Sequence, residues 1–282
     1  TLSSVLAAEA EGQAGTADLV ASVLTKGTKT RSATDIARQI ESLGASLEAG
    51  ADPDSSAVSL EALSNRFADA LAIASDVTRN PAFAQEELDR QRQQTLDELS
   101  VSLKQPGPLS RLAMTRLLFG DGPYGRVATP KTISAAKRED LVAFHATYWR
   151  PDNAILVIAG DVSADDAFAL AEKYYGDWAK PGTAMPARAD AAKANTGHRT
   201  LVLDLPKSGQ AAVVFGLHGV ARTDSNFFPL LVTNAVLGGG YSARLNQEIR
   251  IKRGLSYGAN SALGQRLAPG PIIAAAQTKN TT

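Results

Sequence analysis

Hydrophobic and polar positions alternate along this chain between the spacing of helices and the spacing of strands. Near the start, apolar residues recur with helical spacing over 16–25 and 33–43. They then alternate with polar residues over 45–50 and 55–63, on either side of a turn sequence at 51–54. This pattern predicts two helices followed by an antiparallel hairpin.

The rest of the chain continues to mix the two patterns, with Ser32 and Ser163 as predicted N-caps. Further helices are predicted over 65–78, 85–104, 109–119, 134–148, 163–175, 226–237 and 242–252, and further strands over 154–160, 200–205, 211–217, 255–263 and 271–277. Such an order predicts an α+β fold. We expect two related α/β-sandwich domains, each with an antiparallel-rich sheet covered by helices.

A loss of hydrophobic periodicity separates the two halves. The stretch 180–199 is rich in Ala, Pro, Lys and Arg and predicts an interdomain linker. We therefore predict a first domain at 1–182, a linker at 183–199 and a second domain at 200–282. The opening stretch TLSSVLAAEAE predicts a strand rather than a signal peptide, so we expect the sequence to begin within a longer or processed precursor.

Composition narrows the classes of partner. Among 282 residues, Lys plus Arg and Asp plus Glu both total 29, so the formal net charge is zero. That balance argues against nucleic acid or an anionic membrane as the main partner. No apolar run approaches the roughly 20 residues that span a bilayer, which argues against direct membrane insertion.

Residues that could bind a metal or act as nucleophiles are scarce. The chain has no cysteine, and its three histidines, His145, His198 and His218, stand far apart in sequence. We interpret all three as packed or surface residues. Gly238-Gly239-Gly240 follows a predicted helix rather than a strand, which favours a tight turn between helices over a phosphate-binding loop.

Several motifs in a fixed order resemble the pitrilysin/insulinase family of zinc peptidases, over nearly the whole chain. They are a helix ending in Lys26-Gly27-Thr28, a second helix leading to Leu43-Gly44-Ala45, the block NPAFAQEELDRQRQQTLDEL, the stretch GPYGRVATPKTISAAKREDLVAFHATYWRPDNAILVIAGDV, and LGGGYSARLNQEIRIKRGLSYGANS. The resemblance implies the two-domain fold predicted above.

At the family's zinc motif this sequence departs from the pattern. Active members carry H-x-x-E-H, in which two histidines bind zinc and the glutamate is the general base. The matching positions here are Asp18, Ala21 and Ser22, and the family's third ligand corresponds to Glu98. Since a catalytic zinc needs about three protein ligands, we predict that this chain binds no metal or other cofactor.

A second feature of the family is retained. Its second domain contributes an arginine and a tyrosine that contact substrate near the scissile carbonyl, and the matching residues here are Arg250 and Tyr257. The resemblance thus implies the non-catalytic, substrate-binding subunit of a two-subunit zinc metallopeptidase. Its partners would be a zinc-bearing homologue, with which it encloses a chamber, and the peptide substrate.

Two alternatives remain open at this point. The chain could be an inactive homologue that acts as a structural or assembly subunit of a larger complex. It could also be a peptidase by itself, with an unusual metal site built from Asp18, Glu98 and a distant histidine. Compared with the family, the second domain stops early, so we expect one face of its sheet to lie bare. An exported, periplasmic bacterial protein is expected from the family's two-subunit members and the Ala/Arg-rich composition.

Overall fold

Contacts between residues divide the chain into two units. The computed structural model describes residues 2–3, 9–187 and 197–280. One unit comprises residues 1–96 and 128–189, and the other comprises residues 97–127 and 190–282. The predicted division of the chain at 182 therefore differs from the observed one, because the segment 97–127 groups with the second unit.

The first unit combines one small antiparallel sheet with several helices. Its elements are β1 (Leu2–Ser3), α1 (Thr16–Leu24), α2 (Ala33–Ser42), β2 (Ser46–Ala51), β3 (Ser55–Glu61), α3 (Phe67–Arg79), α4 (Gln85–Ser102, whose last residues belong to the second unit), α6 (Pro130–Ala135), α7 (Arg138–Tyr148) and α8 (Ala164–Tyr175). The sheet order is β1-β3-β2, with Leu47 opposite Leu60 in the hairpin.

The second unit has its own antiparallel sheet. Its elements are α5 (Pro106–Phe119), β4 (Gln210–His218), α9 (Phe227–Leu237), α10 (Arg244–Asn246), a π-helical segment (Gln247–Ile251), β5 (Ser256–Leu263) and β6 (Pro271–Lys279). Here the sheet order is β4-β6-β5. The described structure therefore confirms the predicted α+β class, with antiparallel sheets and helices in both units.

Helix α1 is the buried centre of the first unit. Its buried residues are Thr16, Ala17, Leu19, Val20, Ala21, Val23 and Leu24. A helix that is apolar on nearly all sides is stable only when neighbours cover it. Helix α7 and strands β2 and β3 pack against α1. The helix that corresponds to the family's zinc-binding helix is thus held by packing that needs no metal.

The predicted helix at 33–43 and the hairpin after it are confirmed. Ser32 caps α2, because its hydroxyl accepts the Asp35 N–H at 3.1 Å. The Ile36 and Ile40 side chains of α2 form an apolar cluster with Ile73 and Val77 of α3. This cluster rests on the inner face of the hairpin and joins helix and sheet into one core.

Helix α5 packs on one face of the second sheet, which explains why 97–127 belongs to this unit. Gly216 of β4 permits a close approach: a Cβ atom there would lie 2.5 Å from the Met114 sulfur and 3.2 Å from a Leu118 methyl. A side chain at 216 would force the Met114 side chain to move out of this contact. The sequence pattern predicted both elements but not this contact.

The opposite face of the second sheet is only partly covered. Helix α9 packs over β5, while Val213, Phe215 and Leu217 of β4 remain exposed, Phe215 at 71%. The bare face expected from the sequence is thus observed along β4. The outer side of α9 is also apolar and exposed. No helix among the described residues is long and apolar enough to cross a bilayer.

Other boundaries differ from the prediction. The predicted helix at 134–148 is two helices, because Ala136 and Lys137 take extended backbone conformations between α6 and α7. Helix α5 begins at Pro106 rather than at 109, with proline in the first helical turn, where its missing N–H costs nothing. The predicted strands at 154–160 and 200–205 are not among the strands described.

The first unit ends in a buried ionic contact. The Arg150 side chain is buried, pairs with Asp152 at 2.5 Å, and donates to the Thr183 carbonyl at 2.9 Å. A buried guanidinium needs such partners to offset its desolvation. These bonds fix the chain where the predicted linker 183–199 begins, while 188–196 lie outside the described residues.

The start of α1 depends on a carboxylate from outside the helix. Gly15, the N-cap residue, has no side chain, and the buried Glu9 carboxylate accepts the Gly15 N–H at 3.1 Å and the Ala17 N–H at 2.8 Å. We expect Glu9→Gln to lower the free energy of unfolding of the first unit by about 1–2 kcal/mol, because charge-assisted bonds are lost. Urea unfolding measures this, with the exposed Glu11→Gln as control. Equal stability of both variants would contradict it.

Candidate functional site

The three positions that match the zinc motif lie on one face of α1. Asp18, Ala21 and Ser22 are spaced by three and four residues, so they are neighbours on the helix surface. Ala21 is 2% exposed and presents only a methyl group. The Ser22 hydroxyl donates to the Leu19 carbonyl at 3.0 Å, which ties it to its own helix. This face offers one carboxylate where active family members offer two imidazoles and a base.

Asp18 has an altered affinity for protons. Although its side chain touches solvent, burial of the carboxyl among surrounding protein atoms raises its pKa, and the Asp52 carboxylate raises it further, to about 6. Neighbouring negative charge and desolvation both favour the protonated acid.

These residues do not fit a zinc ion. Glu98 lies on the part of α4 that belongs to the second unit and is exposed. Among the described residues, no group of three His, Cys, Asp or Glu side chains could hold a metal. The donor set on the α1 face is one carboxylate, one hydroxyl and a methyl group, which is short of a zinc ligand set.

The histidines have structural surroundings. The His145 ring bonds the Thr78 carbonyl at 2.9 Å and stacks on Trp149, and burial lowers its pKa to about 4. His218 bonds the Leu118 carbonyl at 2.9 Å. His198 is exposed. His145 was predicted to be a packed or surface residue, and these contacts show that it is packed.

Arg250 lies in the π-helical segment rather than in the α-helix predicted over 242–252. Only Arg244–Asn246 is α-helical, and Gln247–Ile251 continues with wider turns. Such segments are rare and often occur at functional sites. The Arg250 guanidinium stacks on the Tyr241 ring at 5.0 Å. The nearby Glu248 carboxylate pairs with Lys252 at 2.5 Å, and no ion pair of Arg250 is found among the described residues.

Tyr257 lies on an irregular part of β5. Its side chain is 83% exposed, and the pairing of β5 with β6 shifts between Ser256 and Ala259. The Ser256 hydroxyl accepts the Gly258 N–H at 3.1 Å and donates to the Gly258 carbonyl at 2.7 Å, which holds the irregular turn. Local irregularities of this kind re-aim a side chain. The phenol is exposed to solvent, where its hydroxyl can form a hydrogen bond with a ligand.

The glycine run 238–240 connects α9 to this region as a close turn. A Cβ atom on Gly238 would lie 2.4 Å from the Ser261 nitrogen, so only glycine lets the turn reach β5. The Ser261 N–H donates to the Gly238 carbonyl at 2.9 Å. The predicted tight turn is supported, although it docks on a strand as well as leading towards α10.

Three residues that support the Arg250/Tyr257 region were missed by the sequence reasoning. They are Tyr241, Asn246 and Ser256, all within the stretch that carried the family resemblance. Their roles depend on contacts with residues 2 to 13 positions away. The one local signal in the sequence was that Tyr241 directly follows three glycines, which indicates an exposed side chain at the end of this turn.

Substitution of Asp18 tests whether the pKa of its carboxyl is raised in the folded chain. Because its folded-state pKa is raised from 3.8 to about 6, the protonated acid stabilises the fold below pH 3.8, and this contribution is lost as the pH rises through about 6. Asp18→Asn, which cannot ionise, should therefore gain about 1 kcal/mol at pH 8 and little at pH 4; the figure is discounted for solvent contact.

Urea unfolding at both pH values measures this difference. The matched control is Asp69→Asn, which removes a carboxylate from the first turn of another first-unit helix, α3. Equal stability changes for Asp18→Asn at the two pH values would contradict the raised pKa.

Both halves of the chain match models of known protein families. The family model described as insulinase, peptidase family M16, matches residues 7–127, and the model described as peptidase M16 inactive domain matches residues 135–281. An uncharacterized zinc protease from Mycobacterium leprae (strain TN) is 31% identical over 253 residues, which cover 89% of this chain and 57% of that protein. The chain thus spans less than two thirds of this relative's length.

Solved structures agree with these matches. The crystal structure of a peptidase M16 inactive domain from Pseudomonas fluorescens is 29% identical, with a TM-score of 0.87 over 99% of this chain and 68% of that one. A protease from Helicobacter pylori, 20% identical, shares the fold with a TM-score of 0.90 over 99% of this chain and 69% of that one. These findings confirm the resemblance seen in the motifs, and the chain belongs to peptidase family M16, the insulinase family.

Proposed function

We propose that this chain is the non-catalytic, substrate-binding subunit of a two-subunit zinc metallopeptidase, and that Arg250 and Tyr257 bind the peptide. The observation that carries the proposal is a contrast within one chain. The α1 face offers no ligand set for zinc, whereas Tyr257 is displayed to solvent on a shaped turn.

The chemistry of the pair suits a peptide carbonyl. A phenol donates one hydrogen bond and can stabilise an oxygen that gains negative charge during hydrolysis. A guanidinium without a carboxylate partner can bond backbone or carboxylate oxygens of a peptide. The Tyr241 ring under Arg250 limits the directions in which the guanidinium can point. Both groups would bind and orient substrate, and the hydrolytic centre would belong to the partner.

Exposed apolar surface on the second unit supports association with further polypeptide. Val213, Phe215 and Leu217 on β4 lie on the same side of the sheet as α9, whose Phe228 and Val232 are also exposed. Exposed apolar side chains on one side of a sheet are typical of protein interaction sites. We propose that a homologous zinc-bearing subunit is the partner and that the two enclose a chamber that admits unfolded peptides.

The same surface would also suit an inactive homologue with a structural role in a larger complex. In that case Arg250 and Tyr257 would not affect turnover, and mutation of the pair separates the two functions. Export to the bacterial periplasm stays a prediction that fractionation of cells would test.

Mixing this chain with a zinc-motif homologue tests whether one subunit binds the peptide and the other holds the zinc. The isolated chain should contain no zinc by elemental analysis and should not hydrolyse a fluorogenic unfolded peptide. Mixed with a zinc-motif homologue from the same organism, it should give hydrolysis that a chelator abolishes, because the partner holds the metal. The partner alone is the control and should be much less active than the mixture. Hydrolysis by the isolated chain would overturn the proposal.

Tyr257→Phe in the reconstituted mixture tests the role of the phenol. We expect kcat for the test peptide to fall about tenfold, because one donor to the developing oxyanion is lost. Tyr174→Phe, which removes a phenol from the first unit, is the matched control and should leave kcat unchanged. If Tyr257→Phe also leaves kcat unchanged while the complex still assembles, the structural role is favoured instead.

A further inference from the structure

Asn246 is a buried amide at the junction of the segments that carry the proposed binding residues. It is 4% exposed and lies at the end of α10, directly before the π-helical segment that contains Arg250. A buried amide is costly unless its polar atoms are bonded. Its partners therefore show what this residue does.

Both ends of the Asn246 amide are bonded. The Nδ2 group donates to the Tyr241 carbonyl at 2.7 Å, and Oδ1 accepts the Ala259 N–H at 3.4 Å. The first bond fixes the residue whose ring stacks on Arg250. The second holds β5 at the point where regular pairing with β6 resumes, two residues after Tyr257. One side chain thus connects three segments.

The remaining contacts of β5 do not replace this connection. Farther along the strand, the Ser261 N–H donates to Gly238, and the Ser261 hydroxyl donates to Asn234 Oδ1 at 2.7 Å. These bonds hold the middle of β5 against α9. Since they survive without Asn246, a variant there should keep the fold while it frees the end of the strand near Tyr257.

We propose that Asn246 is a positioning residue, which sets the placement of Arg250 and Tyr257 through the Tyr241 carbonyl and the Ala259 N–H. The expected effect on turnover rests on the proposed function. The two hydrogen bonds of Asn246, to the Tyr241 carbonyl and the Ala259 N–H, form a clamp that can be measured without a partner. Asn246→Leu keeps the side-chain volume and removes both bonds. Asn246→Asp keeps the acceptor for Ala259 and removes the donor to Tyr241.

The clamp is tested by amide hydrogen exchange on the isolated chain. In Asn246→Leu the Ala259 amide should exchange about five- to tenfold faster, whereas the Ser261 amide should keep its rate. Asn246→Asp should leave Ala259 closer to the original rate. Asn226→Ala, an exposed asparagine at the start of α9, is the control and should change neither amide. Unchanged exchange at Ala259 in Asn246→Leu would overturn the proposal.

A double-mutant cycle in the reconstituted mixture tests the effect on turnover. Asn246→Leu should lower kcat about tenfold with little change in KM, and in the Tyr257→Phe background it should lower kcat less than about twofold further, because the two residues act as a unit. A full tenfold loss in that background would show general damage and refute positioning. If Tyr257→Phe itself has no effect, the proposed function fails, and so does the role of Asn246 in turnover; the exchange data still decide whether the clamp exists.

Discussion

The close approach of Gly238 to β5 is the constraint on which the region around Arg250 and Tyr257 depends. The turn after α9 reaches the strand because no Cβ atom stands between it and Ser261. From that contact the chain continues through Tyr241 and Asn246 to Arg250, and returns to the strand at Tyr257. Each later contact requires the turn to be seated first, so a single side chain at 238 would displace all of them.

The first unit is held together by the packing of helix α1 against its neighbours. Helix α1 is held by apolar residues that pack on all sides. A polar side chain at the buried position of Ala21 would need a hydrogen-bonding partner, whereas the methyl group needs none. The buried residues of α1, Ala21 among them, hold the helix in place by packing.

Incomplete covering of the second sheet connects the fold to assembly. Strand β4 presents apolar side chains to solvent beside an apolar α9, and the relatives that match this chain are longer than it is. A sheet face of this kind gains stability from any polypeptide that covers it. Burial of these side chains by further polypeptide would therefore be favourable.

Local signals in the sequence determined much of this protein. The cap at Ser32, the apolar spacing of α1 and the hairpin turn at 51–54 act within a few residues, so the pattern alone predicted them. The identities of Asp18, Ala21 and Ser22 were likewise readable from the sequence, because no tertiary contact is needed to know them. Tertiary structure alone decided that α5 joins the second unit, that Arg250 lies on π-helical turns, and that Asn246 bonds Ala259. Those features arise where segments that are separated in sequence come close together. The spacing of apolar residues along the chain does not show which distant segments will meet.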